Sequence, residues 1–265
     1  MRQIDGSVVS RHTLCQAVWQ VQVSLPEEMR DFHPGQLLLA AGPAYLRRPV
    51  WPCRLGETDF DFLTAPGSST FDAWLTSLAP GDSLHLLGPI GNGFPMPQKR
   101  ERWLFIAETA VAVGPLLPLL NRAVLANADI LLLTGASFAA RLFPSNQLPL
   151  AVELQVATLD GSKGIRGRVI DLVPSFLSWS DHVVAVGSRS LYRALQMATE
   201  STPGIGSETW VLLWDASFVC GVGVCHTCAV TGASGETLAC REGPVFRLAD
   251  LSLESYGAET GLSCD

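Results

Sequence analysis

Along the first hundred residues, apolar and polar positions alternate in short runs. The stretch Ala17-Val18-Trp19-Gln20-Val21-Gln22-Val23-Ser24-Leu25 has the two-residue period of a half-buried strand. Gln36–Ala41, Phe60–Leu63 and Ser83–Leu87 are shorter runs of the same kind, and Asp72–Ala79 reads as one short helix. Turn signals separate them at Pro34-Gly35, Gly42-Pro43, Pro66-Gly67 and Pro80-Gly81. Several short strands with little helical periodicity predict a small antiparallel β-barrel over residues 1–98. The stretch from Gly88 to Pro97 breaks all periodicity and reads as a linker.

After Lys99 the alternation gives way to continuous apolar runs at Trp103–Ala107, Ile130–Thr134, Leu150–Thr158, His182–Val186 and Trp210–Trp214. Helix-length segments, Val113–Ala126 and Ser190–Glu200, fall between some of them. Strands without alternation are buried on both faces, as in a parallel sheet covered by helices. The pattern predicts a five-stranded parallel α/β domain, nucleotide-binding-like, over 99–214. Residues 215–265 form a third unit with no long apolar run, holding five of the seven cysteines. Its order is expected to depend on a metal.

Composition sharpens this picture. The mean hydropathy is +0.26. A membrane span is nevertheless excluded, because the most apolar window, Trp103 to Leu120, contains Glu108, Pro115 and Pro118. The buried parallel strands account for the hydropathy instead. With 18 Lys+Arg against 25 Asp+Glu, the net charge of −7 argues against a partner bound through nucleic-acid phosphates. The start of the chain lacks the apolar run of a signal peptide, so the expected compartment is the cytoplasm. Cysteines there are metal ligands or buried thiols rather than disulfides.

The strongest chemical signal is Cys220-Gly221-Val222-Gly223-Val224-Cys225-His226-Thr227-Cys228, followed by Cys240. Three thiols on one tight loop and a fourth from a later segment match the plant-type [2Fe–2S] arrangement. A flat two-iron cluster needs two sulfurs on each iron, so the loop must curl and another segment must close the far side. Gly221 and Gly223 permit the positive φ this requires, and their amides can tune the sulfurs. Structural zinc is the alternative, but Cys₄ zinc sites usually use two short knuckles, and here there is one. Cys15, Cys53 and Cys264 lack partner spacing and read as ordinary thiols. The five histidines, His12, His33, His85, His182 and His226, show no metal spacing. His182 reads as a packing residue and His226 as an exposed loop residue. No catalytic side-chain constellation emerges, so the chemistry lies in cofactors.

Six segments together carry a specific resemblance: Pro34-Gly35-Gln36, Arg47-Arg48-Pro49, Leu78-Ala79-Pro80-Gly81-Asp82, Leu87-Gly88-Pro89-Ile90-Gly91-Asn92-Gly93-Phe94, the cysteine loop, and Cys240-Arg241-Glu242-Gly243-Pro244-Val245-Phe246. Over nearly the whole chain, the sequence resembles the electron-transfer subunits of heterodimeric dihydroorotate dehydrogenases, in the ferredoxin-reductase superfamily. The resemblance implies a barrel that binds FAD, an α/β domain that accepts hydride from NADH, and a [2Fe–2S] cluster on Cys220, Cys225, Cys228 and Cys240. It also implies a hetero-oligomer with a catalytic dihydroorotate dehydrogenase-like subunit, or another redox protein, and a role in pyrimidine biosynthesis. The flavin positions it implies are Arg48, Pro49, Val50 and Trp51, then Phe62, Leu63 and Thr64, then Ser69 and Thr70.

Some of those positions depart from the family pattern. The family strand reads Arg-Pro-x-Ser, where this chain has Trp51 in place of the serine. A Gly-x-Gly-Thr segment becomes Gly67-Ser68-Ser69-Thr70, and an aromatic-basic pair becomes Leu63-Thr64. The family's glycine-rich turn becomes Glu108-Thr109-Ala110-Val111-Ala112-Val113-Gly114-Pro115, and its Cys-Gly-Pro turn becomes Val186-Gly187-Ser188. Such glycines let backbone and helix N-terminus approach a pyrophosphate, so NADH binding is expected to be weakened. Asp160-Gly161-Ser162 remains either as a ribose contact or as a plain turn. Three readings follow: an electron-transfer subunit, a diverged flavoprotein reductase serving another oxidoreductase, and a regulatory subunit that keeps the fold without nucleotide.

Overall fold

The structure, a computed structural model, describes residues 1–29, 32–42, 46–67, 69–201, 208–232 and 235–253. Its first sheet comprises β1 (Arg2–Cys15), β2 (Val18–Ser24), β3 (Leu37–Ala41), β4 (Arg47–Val50), β5 (Pro52–Leu55), β6 (Asp59–Thr64) and β7 (Ser83–Ile90), with helix α1 (Thr70–Ser77) between the last two. The strands are antiparallel in the order β4-β3-β7-β1-β2-β6-β5. The two ends of that order, β4 and β5, are separated in sequence by Trp51 alone, so one bent segment closes the sheet into the expected barrel. Ile4, Val21, Leu38, Phe60, Phe62 and Leu86 are among the side chains that fill it.

Two parts of the barrel differ from the sequence expectation. β1 and β5 were not expected as strands, whereas β4 lies at the strand that the resemblance implied from Arg48 to Trp51. β7 runs on to Ile90, inside the expected linker. Pro89 is tolerated there because β1 ends its pairing at Arg2 opposite Gly88, and β3 is irregular between Leu37 and Leu39. The imino nitrogen therefore withholds no ladder hydrogen bond.

The second sheet contains β8 (Arg102–Ala107), β9 (Asp129–Ala136), β10 (Val152–Thr158), β11 (Ile165–Arg166), β12 (His182–Val186), β13 (Glu208–Leu212) and, from the tail, β16 (Val245–Arg247). Its order is β11-β10-β9-β8-β12-β13-β16, parallel except for β16. Helices α2 (Ala110–Val113) and α3 (Leu117–Leu125) follow β8, and α4 (Arg189–Glu200) follows β12. The small hairpin β14 (Ala229–Gly232) and β15 (Gly235–Leu238) lies in the tail. β10 starts two residues later than expected and Leu150 is fully exposed, because only the two-residue β11 covers that edge. Ferredoxin-reductase-like order, barrel then parallel sheet then cysteine tail, is what the chain shows. One apolar core runs through all three parts, from Leu39 and Trp51 through Phe105 and Leu132 to Phe218 and Cys240. No helix among the described residues is long and apolar enough to cross a membrane.

A pH-sensitive tie anchors the central strands. The backbone N–H and guanidinium of Arg102, at the head of β8, donate to both carboxylate oxygens of Asp181, beside β12, at 2.6–3.2 Å. The Arg102 guanidinium first, and its backbone N–H second, hold the Asp181 carboxyl down to about 2. A depressed carboxyl stabilises the fold above its unfolded value of about 3.9, and that contribution vanishes as pH falls through the folded value. Asp181→Asn is therefore expected to lower Tm at neutral pH. Thermal melts should show the gap to the parent closing between about pH 4 and pH 2; a constant gap would refute the linkage.

Candidate functional site

The four cysteines predicted as ligands come from two places. Cys220, Cys225 and Cys228 lie on the loop between β13 and β14, and Cys240 on the turn after β15. Hydrogen bonds between the two segments include Ala239 N–H to Cys228 C=O at 3.0 Å. Cys220 and Cys225 Sγ are 3.2 Å apart. Cys228 and Cys240 are both buried, and Cys240 feels the neighbouring Cys228 thiol and the charge of Cys220. Among the described residues no three Cys, His, Asp or Glu side chains converge as a single-ion cage. Cys220 and Cys225 form a close pair, and Cys228 and Cys240 lie in the shared buried core.

The loop backbone serves these sulfurs. Gly221 and Gly223 sit at φ +72° and +79°, the left-handed region that glycine enters freely. A Cβ on Gly221 would lie 2.6 Å from Ile90 Cδ1, so the loop also needs the bare backbone to lie against β7. Burial opposes ionisation of Cys220, but the N–H groups of Val222, Cys225 and Val224 and the Cys225 thiol outweigh it. They bring that thiol down to about 6. Cys240 is pushed up to about 12, by burial first and then by Cys228, against donation from the Gly223 N–H. Amides aimed at sulfur favour the thiolate that a metal requires. Four neighbouring thiols with such donors fit a two-iron centre. His226, at φ +56°, is exposed and faces Glu236 at 3.5 Å rather than the thiols.

Sequence reasoning assigned no role to Asn92, which the structure places at the foot of this unit. Its Nδ2 donates to the carbonyls of Glu242 (2.8 Å) and Val245 (2.9 Å), and its Oδ1 accepts from Val245 N–H at 3.2 Å. Gln36 Nε2 donates to Gly91 C=O at 2.7 Å, and Gly35 lies against Phe94 and Val245. Three of the segments that carry the resemblance thus converge where barrel and tail meet, directly after Cys240. Their separation in sequence hid this.

The flavin positions are distributed differently. Val50 and Phe62 face the barrel interior, and Thr64 is buried. Pro49 and Arg48 are half-buried on β4, and Thr70 is exposed at the start of α1. Trp51, 9% exposed, packs edge-on against Phe218 with ring centroids 6.1 Å apart. Leu63 packs on Gly114, where a Cβ would be 3.2 Å from Leu63 Cγ. Between Trp51, Leu63, Val111, Gly114, Pro115 and Trp214 a void of about 20 Å³ remains, room for roughly one water. These side chains occupy the slot between barrel and parallel sheet. Ser69 caps α1: its Oγ accepts from Asp72 N–H at 3.1 Å and donates to Asp72 Oδ2 at 2.6 Å.

The nucleotide side is similarly occupied. Glu108 accepts from Ser188 N–H and, at 3.0 Å, from Ser188 Oγ. Asp160 is engaged by its own turn, accepting from Ser162 N–H at 2.9 Å and Ser162 Oγ at 2.6 Å. Both carboxylates are thus engaged within the chain. The buried Cys53 is held as a thiol by burial, and Cys15 faces Arg141 C=O at 3.6 Å. Cys264 lies outside the described residues. His182 stacks on Trp103 with ring centroids 4.5 Å apart, a packing role.

Comparison with known proteins agrees with this architecture. Residues 215–252 match the family described as the iron-sulfur cluster binding domain of dihydroorotate dehydrogenase B. The chain is 28% identical over 260 residues to the dihydroorotate dehydrogenase B (NAD(+)) electron transfer subunit of Geobacillus kaustophilus strain HTA426, covering 93% of this chain and 97% of that one. Among solved structures, an NADH-dependent reduced ferredoxin-NADP oxidoreductase, studied for flavin-based electron bifurcation, superposes with a TM-score of 0.82 at 22% identity, over 94% of this chain and 90% of that one. A ferredoxin NADP+ reductase from Neisseria gonorrhoeae, with bound FAD and NADP, superposes with a TM-score of 0.63 at 14% identity, over 79% of this chain and 99% of that one. The resemblance read from the motifs holds along the chain, and its fold is that of the ferredoxin reductases.

Proposed function

We propose that this chain is the electron-transfer subunit of a two-subunit oxidoreductase of the dihydroorotate dehydrogenase B type, working in the cytoplasm beside a catalytic partner. Cys220, Cys225, Cys228 and Cys240 hold its [2Fe–2S] cluster. The observation that carries this reading is the gathering of the four thiols, Cys220 against Cys225 and Cys240 within the influence of Cys228 and Cys220, inside the segment that matches an iron-sulfur cluster binding domain.

When bound, the cluster supplies one-electron transfer. The chain contributes a seat with two unlike sides. Cys228 and Cys240 anchor the inner side in the apolar core shared with the second sheet. Cys225 lies exposed beside Val222 and Val224 on the outer side, so a partner's redox group can come close without unfolding the loop. The Val222 and Gly223 amides stabilise negative charge on sulfur. Anaerobic purification tests the assignment. Two irons and two acid-labile sulfides per chain are expected, with an EPR signal after dithionite. Zinc without sulfide would overturn it.

A further inference from the structure

We propose that this chain has closed both the flavin and the pyridine-nucleotide seats of its fold with its own side chains. The cluster is then its one redox centre, exchanging single electrons with protein-borne flavin or iron–sulfur centres and accepting no hydride. This inference rests on the cluster reading above and goes beyond it, since the matched relatives are named for NAD(+).

Three separate places carry the argument. The first is the slot between barrel and parallel sheet. Trp51 and Leu63 cross it from the barrel and meet Val111, Gly114 and Pro115 from the other side, leaving about 20 Å³. The indole is fixed edge-on to Phe218, two residues before Cys220. It belongs to the core that supports the cluster loop and is not a lid over a cavity.

The second is the start of α1, where a flavin's pyrophosphate would take the backbone N–H groups of a helix end. That end already holds an anion. Asp72 reaches back to Ser69, and a Cβ on Gly67 would lie 2.2 Å from Asp72 Oδ2, so the carboxylate rests against the glycine backbone itself. A reciprocal cap of this kind satisfies the donors and repels phosphate.

The third is the crevice where the parallel sheet reverses its order, between β8 and β12, the usual place for a dinucleotide. Glu108, just past β8, bridges this crevice to Ser188, the N-cap of α4. The surviving Gly187 is fully engaged: its N–H donates to Tyr192 Oη at 3.1 Å and its carbonyl accepts from Trp214 Nε1 at 3.0 Å. A Cβ there would meet Glu108 Oε2 at 2.7 Å. Neither a bare backbone nor a free helix end is left for a pyrophosphate.

A larger cavity of about 250 Å³ lies beyond Leu63, but among the described residues it presents no free cation to a pyrophosphate. Its lining cation, Arg54, is already paired with Asp59 and with Asp61, the latter at 2.8 Å. Meanwhile the cluster loop keeps both positive-φ glycines and all four thiols. Closure is selective for the seats that would handle hydride.

The test uses the full chain with its cluster reconstituted anaerobically. It is incubated with excess FAD, then with NADH, and followed by equilibrium dialysis and visible absorption. Retained flavin well below one per chain is expected, with the cluster spectrum unchanged by NADH and bleached fully by dithionite. FAD retained near one per chain, or bleaching by stoichiometric NADH, overturns the proposal. Iron and sulfide, measured on the same sample, report separately on the cluster assignment.

Discussion

Replacing Cys225 with serine is expected to abolish the iron–sulfur spectrum while leaving the protein folded. The first half follows from ligand chemistry: a serine hydroxyl is a hard, protonated donor where iron in a sulfide cluster requires a thiolate. The second half follows from position. Cys225 is exposed on its loop, and its thiol contacts only Cys220 and the Thr227 hydroxyl, at 3.2 and 3.1 Å, among the hydrogen bonds described. Without metal, its removal should change unfolding free energy by less than about 0.5 kcal/mol, as for other exposed positions. Iron analysis, EPR after dithionite and far-UV circular dichroism check the two halves together. Cys15→Ser is the matched control and should keep full iron content. A Cys225→Ser protein with an unaltered EPR signal would remove Cys225 from the ligand set. Cys228 is a poorer choice for this experiment, because its thiol is buried in the shared core and its loss would mix ligation with packing.

Asn92→Ala is expected to be strongly damaging although it lies outside the cluster loop, lowering stability by about 2–4 kcal/mol. One side chain supplies three hydrogen bonds to Glu242 and Val245, and the Val245 groups it serves are buried. Truncation leaves donors and acceptors without partners, which costs on the order of 1–3 kcal/mol for each buried group. Urea unfolding should show a lower midpoint with an unchanged slope. Because the same bonds hold the segment that follows Cys240, the variant should also release iron to a chelator faster than the parent. A midpoint shift equivalent to under about 0.5 kcal/mol would show that Asn92 is an ordinary surface polar residue.

What the sequence determined by itself was set by short-range rules. β8, β9 and β12 were legible because burial on both faces writes an unbroken apolar run. β2 was legible because burial on one face writes an alternation. The cysteine loop was legible because a small cluster draws three ligands from nine consecutive residues, so their spacing is local chemistry. β1 escaped because only Ile4, Gly6 and Val8 of its first half are buried, and a glycine adds nothing to an apolar count. That glycine is there because Val23 lies across the sheet, where a Cβ would come within 2.7 Å of its Cγ1.

Only the tertiary structure decided which surfaces remain open to a ligand. The residue replacements at Trp51, Leu63 and Glu108 were visible in the sequence, but an indole can stack on a ring or fill its place, and a carboxylate can point outward or inward. Trp51 is decided by Phe218, Leu63 by Gly114 and Glu108 by Ser188, partners 51 to 167 residues away in the chain. Side-chain direction depends on what stands opposite after folding, and no local pattern encodes that. The metal-binding loop carries its geometry within its own residues; the nucleotide seats exist only between elements, so they open or close with the fold.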